Sequence, residues 1–202
     1  MKKAKPVIVR CCLRKRLTMD NGKSAYKRWL DGDETAVGEI IGAYKDGLIL
    51  YINGFVRNIG AAEELCEDAF VKIFTKKPKI REDVSFKTFL YAVGRNAALD
   101  RLRREKRRKS VGLDECAEIS DDEINLEKGY LREERKIAVY SAMSRLKPEQ
   151  RQILQLVYFE DFSVKEAARI MKKSVHAAET LAYRARLALK AELEKEGFTY
   201  ED

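Results

Sequence analysis

The chain has 202 residues, of which 45% are hydrophobic and 37% charged, and its formal net charge is +8. Such a balance excludes a wholly disordered chain and leaves room for one medium core or two small ones. The surplus of cations points to a polyanionic partner, nucleic acid first and an anionic membrane surface second.

Three prolines, eleven glycines and long stretches of Ala, Leu, Glu, Lys and Arg favour helix over sheet. The expected fold is all-α: two small helical domains joined by a flexible acidic linker, the second a helix-turn-helix. Residues 1–23 carry no helical or strand period and are expected to be a disordered basic leader. Its apolar stretch, Pro6 to Val9, is broken by Arg10, which argues against a signal peptide. Met19 is a candidate for the natural translation start. From Asp33, a candidate N-cap, Val37, Ile41, Tyr44, Leu48, Ile52 and Phe55 step by threes and fours along one helix face. A break at residues 58–60 precedes a second helix over about 61–76, with Leu65, Ala69 and Ile73 inward. After Pro78 and a polar loop, a third helix runs over about 85–108, with Phe86, Leu90, Val93 and Ala97 on its buried face. Residues 24–109 are assigned to this first domain.

The stretch VGLDECAEISDDEINLE, Val111 to Glu127, carries many acids and no base, which marks residues 110–135 as a linker. A second domain is expected over 136–197, followed by a tail, 198–202. It opens with a helix over about 130–146, and Pro148 then starts another in its first turn. Ser163-Val-Lys-Glu166 is a capping box. The helix it starts stops at Lys172 and Lys173, and Ser174 caps the next. In that helix Ala178, Leu181, Ala185 and Leu189 face inward, while His176, Ala177, Thr180, Tyr183 and Arg184 face outward. Two short helices joined by a tight turn, with small residues at the crossing, form the helix-turn-helix pattern, whose second helix reads the major groove near its N-terminus. An αα-hairpin within a helical bundle is the competing reading of this local pattern.

The third helix of the first domain ends in NAALDRLRREKRRK. Arg101, Arg103, Arg104, Lys106, Arg107, Arg108 and Lys109 crowd a few turns against only Asp100 and Glu105, a density beyond what complementing the helix dipole requires. Glu63, Glu64, Glu67 and Asp68 give the second helix an acidic face, either solvated or a protein docking site. Cys11, Cys12, Cys66 and Cys116 form no CxxC pair, and His176 is the single histidine, so neither a metal site nor a cofactor is expected. Reduced thiols and a cytoplasmic location are the simplest reading, and no run is long enough to span a bilayer.

AAEELCEDAFVKIF and SFKTFLYAVGRNAALDRLRREKRR resemble the second conserved region of extracytoplasmic-function (ECF) RNA polymerase sigma factors. The family pattern is met at Phe86, Phe89, Leu90, Arg95, Asn96 and Asp100, with Phe89 where Trp is usual. LKPEQRQILQL, FSVKEAARIM and Tyr183-Arg-Ala-Arg186 resemble the family's fourth region, with Ala177, Ala178 and Leu181 as departures. The resemblance covers residues 25–108 and 136–196. It implies a DNA-binding specificity subunit, not an enzyme, whose partners are bacterial core RNA polymerase, promoter DNA and an anti-sigma protein. By the same resemblance Glu63, Glu64, Glu67, Asp68 and Lys72 meet the polymerase. Arg95, Asn96, Arg101, Arg103, Arg104, Arg107 and Arg108 meet the −10 element, although Asn96 and Asp100 could equally pin the helix to the fold. Lys172, Lys173, Ser174, His176, Ala177, Thr180 and Arg184 meet the −35 element. The competing function is a stand-alone helix-turn-helix regulator. An RNA-binding protein and a metal-dependent nucleic-acid enzyme stand further off.

Overall fold

The computed structural model describes residues 22–110 and 134–195. Residues 1–21 of the basic leader with its Met19 start, residues 111–133 of the acidic linker and the tail lie outside the described residues. Among those described, every regular element is helical: α1 Lys23–Leu30, α2 Thr35–Val56, α3 Ile59–Lys76, α4 Phe86–Ser110, α5 Glu134–Ser144, α6 Pro148–Leu154, a π turn Gln155–Phe159, α7 Val164–Met171 and α8 Val175–Lys195. Lys23 thus belongs to α1, Ser110 to α4 and residues 134–135 to α5, so the helices extend into both expected irregular stretches.

The helix starts follow local chemistry. The Asp33 carboxylate accepts from the Thr35 amide at 3.0 Å and from its hydroxyl at 2.5 Å, so it anchors α2 from just before the first turn. Asn58 is extended and accepts the Ala61 amide at 2.8 Å, which opens α3 two residues earlier than the periodicity suggested. Ser85 Oγ accepts the Thr88 amide at 3.1 Å at the head of α4.

Helix α1 has no counterpart in the sequence reading, because eight residues hold too few turns to show a period. Tertiary contacts hold it instead. The Tyr26 ring stacks on Phe86 at 4.9 Å, and its hydroxyl donates to the Pro78 carbonyl at 2.8 Å. Trp29 meets Phe74 edge-on at 4.9 Å.

Helix α2 is central. Ile40, Tyr44, Leu48 and Ile52 are buried along one face, as the period requires, but so are Ile49, Tyr51 and Asn53 to its sides. The cause is enclosure: α1, α3 and α4 pack around α2, and α6 closes on it from the second half of the chain. Helix α4 buries Phe86, Leu90, Tyr91 and Ala98, whereas Val93 and Ala97 are only partly covered. A Cβ added at Gly94 would lie 2.8 Å from Leu48 Cδ1, so the missing side chain lets α4 approach α2 closely. Helix α7 lies on α4 and on α8, and α6 lies on α8.

Candidate polymerase and nucleic-acid interfaces

Helix α3 turns Ala62, Leu65, Cys66, Ala69, Phe70 and Ile73 into the core. At helical spacing this leaves Glu64, Glu67, Asp68, Val71 and Lys72 exposed, with Glu63 half-buried. Val71 is 63% exposed, an apolar residue in the middle of a charged face that charge pattern alone would not single out. Burial in the α3 core pushes the Cys66 thiol up to about 12.

Helix α4 runs beside α3, and the two enclose an open groove of about 690 Å³. Glu64, Asp68 and Lys72 line one wall, and Asn96, Arg101, Arg104 and Arg108 line the other. The acidic and basic clusters of the sequence are therefore the two sides of one feature. Arg101 ties them together, with Nη1 3.5 Å from Glu64 Oε2 and Nε donating to Glu105 Oε1 at 2.9 Å. Arg103 pairs with Asp100 at 2.9 Å. Arg104, Lys106 and Arg108 are exposed and make no ion pair with a described residue. Arg107 is exposed on the same helix end. Intramolecular pairing thus absorbs part of the cationic cluster, and Arg104, Lys106 and Arg108 stay exposed where phosphates can reach them.

Besides Arg103 and Arg107, three further candidates fall outside the groove lining. Glu63 is half-buried at its edge. Glu67 reaches across to Lys45 at 3.6 Å. Arg95 is half-buried with its Nε enclosed, close enough to the buried Tyr51 phenol to act on it electrostatically. Burial dominates there and raises the phenol's pKa well above its ordinary range.

The helix-turn-helix is formed by α7 and α8. Ser163 Oγ accepts the Glu166 amide at 3.2 Å, and Glu166 Oε2 accepts the Ser163 amide at 2.9 Å, closing the capping box. Lys172 takes the left-handed conformation, φ 55°, that ends α7. The Lys173 amide then bonds back to the Ala168 carbonyl at 2.9 Å. Ser174 Oγ accepts the Ala177 amide at 3.2 Å and starts α8. Ala167, Ala168 and Met171 of α7 are buried, as are Ala178, Ala182 and Ala185 of α8, which lets the helices cross closely. Leu181 and Leu189 are only partly covered.

Ser174, His176 and Ala177 are exposed at the first turn of α8, and Thr180 is half-exposed one turn on. Lys172 and Arg184 are also exposed. Lys173 binds Glu149 of α6 at 2.9 Å, a contact that fixes the turn and competes with any phosphate. The Arg186 guanidinium lies 5.7 Å from the Tyr183 ring centroid. Among the described residues no group of three or more His, Cys, Asp or Glu is placed to hold a metal ion. No described helix is long and apolar enough to cross a membrane.

A two-part helical chain with a grooved first half and a helix-turn-helix second half is the architecture of the sigma-70 class. Residues 40–108 match the family described as Sigma-70 region 2, and residues 136–189 match Sigma-70, region 4. The ECF RNA polymerase sigma factor SigW of Bacillus subtilis is 24% identical over 179 residues, covering 85% of this chain and 96% of that protein. The RNA polymerase sigma-H factor of Pseudomonas aeruginosa is 27% identical over 181 residues, covering 86% of this chain and 94% of that one. Among solved structures, CnrH in complex with the cytosolic domain of CnrY superimposes with a TM-score of 0.62 at 22% identity, covering 87% of this chain and 99% of that one. The sigma factor RpoE with the anti-sigma factor NepR, from Bartonella quintana, gives 0.60 at 18% identity, with coverage of 78% and 96%. These two likenesses concern the fold. The chain belongs to the ECF type of RNA polymerase sigma factors, subunits that direct promoter-specific transcription initiation.

Proposed function

We propose that the two exposed surfaces divide the work of initiation. The α3 wall of the groove, through Glu64, Asp68, Lys72 and the exposed Val71, docks on core RNA polymerase. The α4 wall, through Asn96, Arg104 and Arg108, follows the backbone of the −10 element. The start of α8, through Ser174, His176, Ala177 and Thr180, enters the −35 major groove, with Lys172 and Arg184 on flanking phosphates. Glu63, Glu67, Arg95, Arg101, Arg103, Arg107 and Lys173 take supporting positions around these surfaces. The observation that carries this reading is the groove itself, with Glu64 and Asp68 beside Lys72 and Lys76 on the α3 wall and three arginines, Arg101, Arg104 and Arg108, against Asp100 and Glu105 on the α4 wall. One wall suits a protein partner and the other a polyanion.

The chain supplies recognition and strand capture, and covalent chemistry belongs to the polymerase. An anti-sigma protein is a further partner, a reading supported by the NepR complex. The working location is the cytoplasm, where polymerase and promoter are found. Run-off transcription of fragmented source-genome DNA with its own core polymerase tests the function. New discrete transcripts that require this protein are expected. No new transcripts, together with no core polymerase in a pull-down, would leave a stand-alone DNA-binding regulator in its place.

A further inference from the structure

Helix α8 carries three glutamates, Glu179, Glu192 and Glu194. Two of them are paired: Glu192 with Arg145 at 3.0 Å and Lys195 at 2.6 Å, and Glu194 with Lys190 at 3.8 Å. Glu179 is exposed and makes no ion pair with a described residue. No lysine or arginine stands three or four residues from it along the helix, where Val175, His176, Ala182 and Tyr183 are found. It does not complement the helix dipole either, because it lies beyond the first turn of α8, where that effect fades. Nothing in the fold of this chain calls for a carboxylate at this position.

Its surroundings make the charge costly for DNA binding. Glu179 lies one turn after His176, on the exposed face that also bears Thr180. The exposed charges that flank it along the chain, Lys172, Arg184 and Arg186, are all positive. A phosphate repels a carboxylate, so Glu179 weakens the sequence-independent part of affinity. Base edges respond to it unequally, because a carboxylate only accepts hydrogen bonds. In the major groove cytosine presents its N4 amino group and no acceptor of its own. Adenine presents N6 beside the N7 acceptor. Guanine presents N7 and O6, and thymine O4, so both set acceptors against the carboxylate. At cytosine the group gains a hydrogen bond, whereas at guanine or thymine it is desolvated and left unpaired.

We propose that Glu179 is a specificity-determining residue of the −35 contact, accepting a hydrogen bond from the N4 amino group of one cytosine. This role rests on α8 entering the −35 major groove. Glu179 stands within the first two turns of α8, the part of a recognition helix that meets base edges. Its side chain also reaches further than those of Ser174 and Ala177 beside it. The residue contributes by rejecting wrong bases as much as by binding the right one.

Selection from a duplex pool tests the role. Holoenzyme assembled from the full chain and core polymerase is offered duplexes with two randomised blocks, each about one helical turn long, at the −35 and −10 positions. The bound fraction is sequenced. The wild type is expected to enrich cytosine in one column of the upstream block. E179Q should move that column toward adenine, whose N6 and N7 an amide meets in a bidentate pair, changing the cytosine-to-adenine ratio by about fivefold or more. E179A should leave the column without preference. In both variants the other columns, thermal unfolding and capture of core polymerase should match the wild type, because Glu179 is exposed. Unchanged columns in both variants, with binding raised alike on every sequence, would overturn the proposal and leave a charge that only repels the backbone. An equal loss across all columns would overturn it too, since it marks damage to the helix. If the wild type enriches no upstream motif, the −35 reading itself falls. An upstream motif indifferent to Glu179 keeps that reading and removes only this residue from it.

Discussion

Cys66 sits in the α3 core with no exposed surface, and its thiol is held neutral by burial. Its folded pKa, about 12, lies above the ordinary thiol value of 9.0. The sign follows: the stabilising effect is complete below the unfolded value and is lost as pH rises through the folded one. Denaturant midpoints measured across pH 9–12 should therefore fall, and C66A should flatten that decline. An equal slope in both proteins would assign it elsewhere. Glycines in the helices divide by environment. A Cβ at Gly94 meets Leu48 at 2.8 Å, whereas at Gly38 and Gly42 it meets nothing within 4 Å. G94A should lose about 1 kcal/mol, since overpacking costs about 1–3 kcal/mol against about 1 gained in helix propensity. G38A and G42A should each gain up to about 1 kcal/mol. Urea unfolding of the three variants measures both signs, and a stabilised G94A would mean that Leu48 swings aside at no cost.

At the scale of the element, α4 divides along its length. Its head is buried against α1, α2 and α7, while its last turns carry the basic cluster beyond the packed core. Because Arg101 and Arg103 are paired within the protein, the salt dependence of promoter binding should respond unequally to neutralisation. R104Q and R108Q should each reduce the slope of log K against log salt by about 0.9, one phosphate contact apiece. R103Q should change it less, because the Asp100 carboxylate already neutralises that guanidinium. Equal slopes in all three holoenzymes would remove the cluster from the DNA. The first turn of α8 makes a different kind of contact. Changing His176 or Thr180 should redistribute preference among −35 sequences and leave polymerase binding intact, with a discrimination change of about 1–3 kcal/mol for each lost base-edge contact. A uniform loss on every promoter would indicate phosphate contact or misfolding instead.

At the scale of the molecule, the open groove and the contact between the two halves lie on different parts of the first half. Reversing Glu64 and Asp68 should abolish capture of core polymerase while the circular dichroism spectrum is unchanged, because both side chains are exposed. Retained capture would move the docking surface elsewhere. Acid should act on the contact between the halves. The Asp83 carboxyl, raised by desolvation but lowered more by Arg81 and Arg169, is held below its ordinary value. A depressed pKa contributes above the unfolded value and is lost as pH falls through the folded one, so this ion pair weakens below about pH 4.

Much of this molecule was legible in the chain alone. Helical periodicity, the capping residues Ser163 and Ser174, and Pro148 in a first turn mark helices in the chain itself, because each acts within about four residues, whereas the caps at Asn58 and Ser85 emerged only from the structure. The basic end of α4 and the acidic face of α3 were equally plain as charge patterns. The tertiary structure decided what those patterns become together. Only packing joins Glu64 to Arg101 as opposite walls of one groove, exposes Val71 there, and turns Arg95 away toward Tyr51. Only packing folds α1, which has too few residues to declare a period. The contact between the halves depends on Asp83 with Arg169 and on Tyr91 with Glu160, pairs separated by 86 and 69 residues. No local pattern encodes such a meeting, since a lone Arg or Glu carries no mark of its partner. The meeting is fixed only when the helices that bear the two side chains are packed against each other.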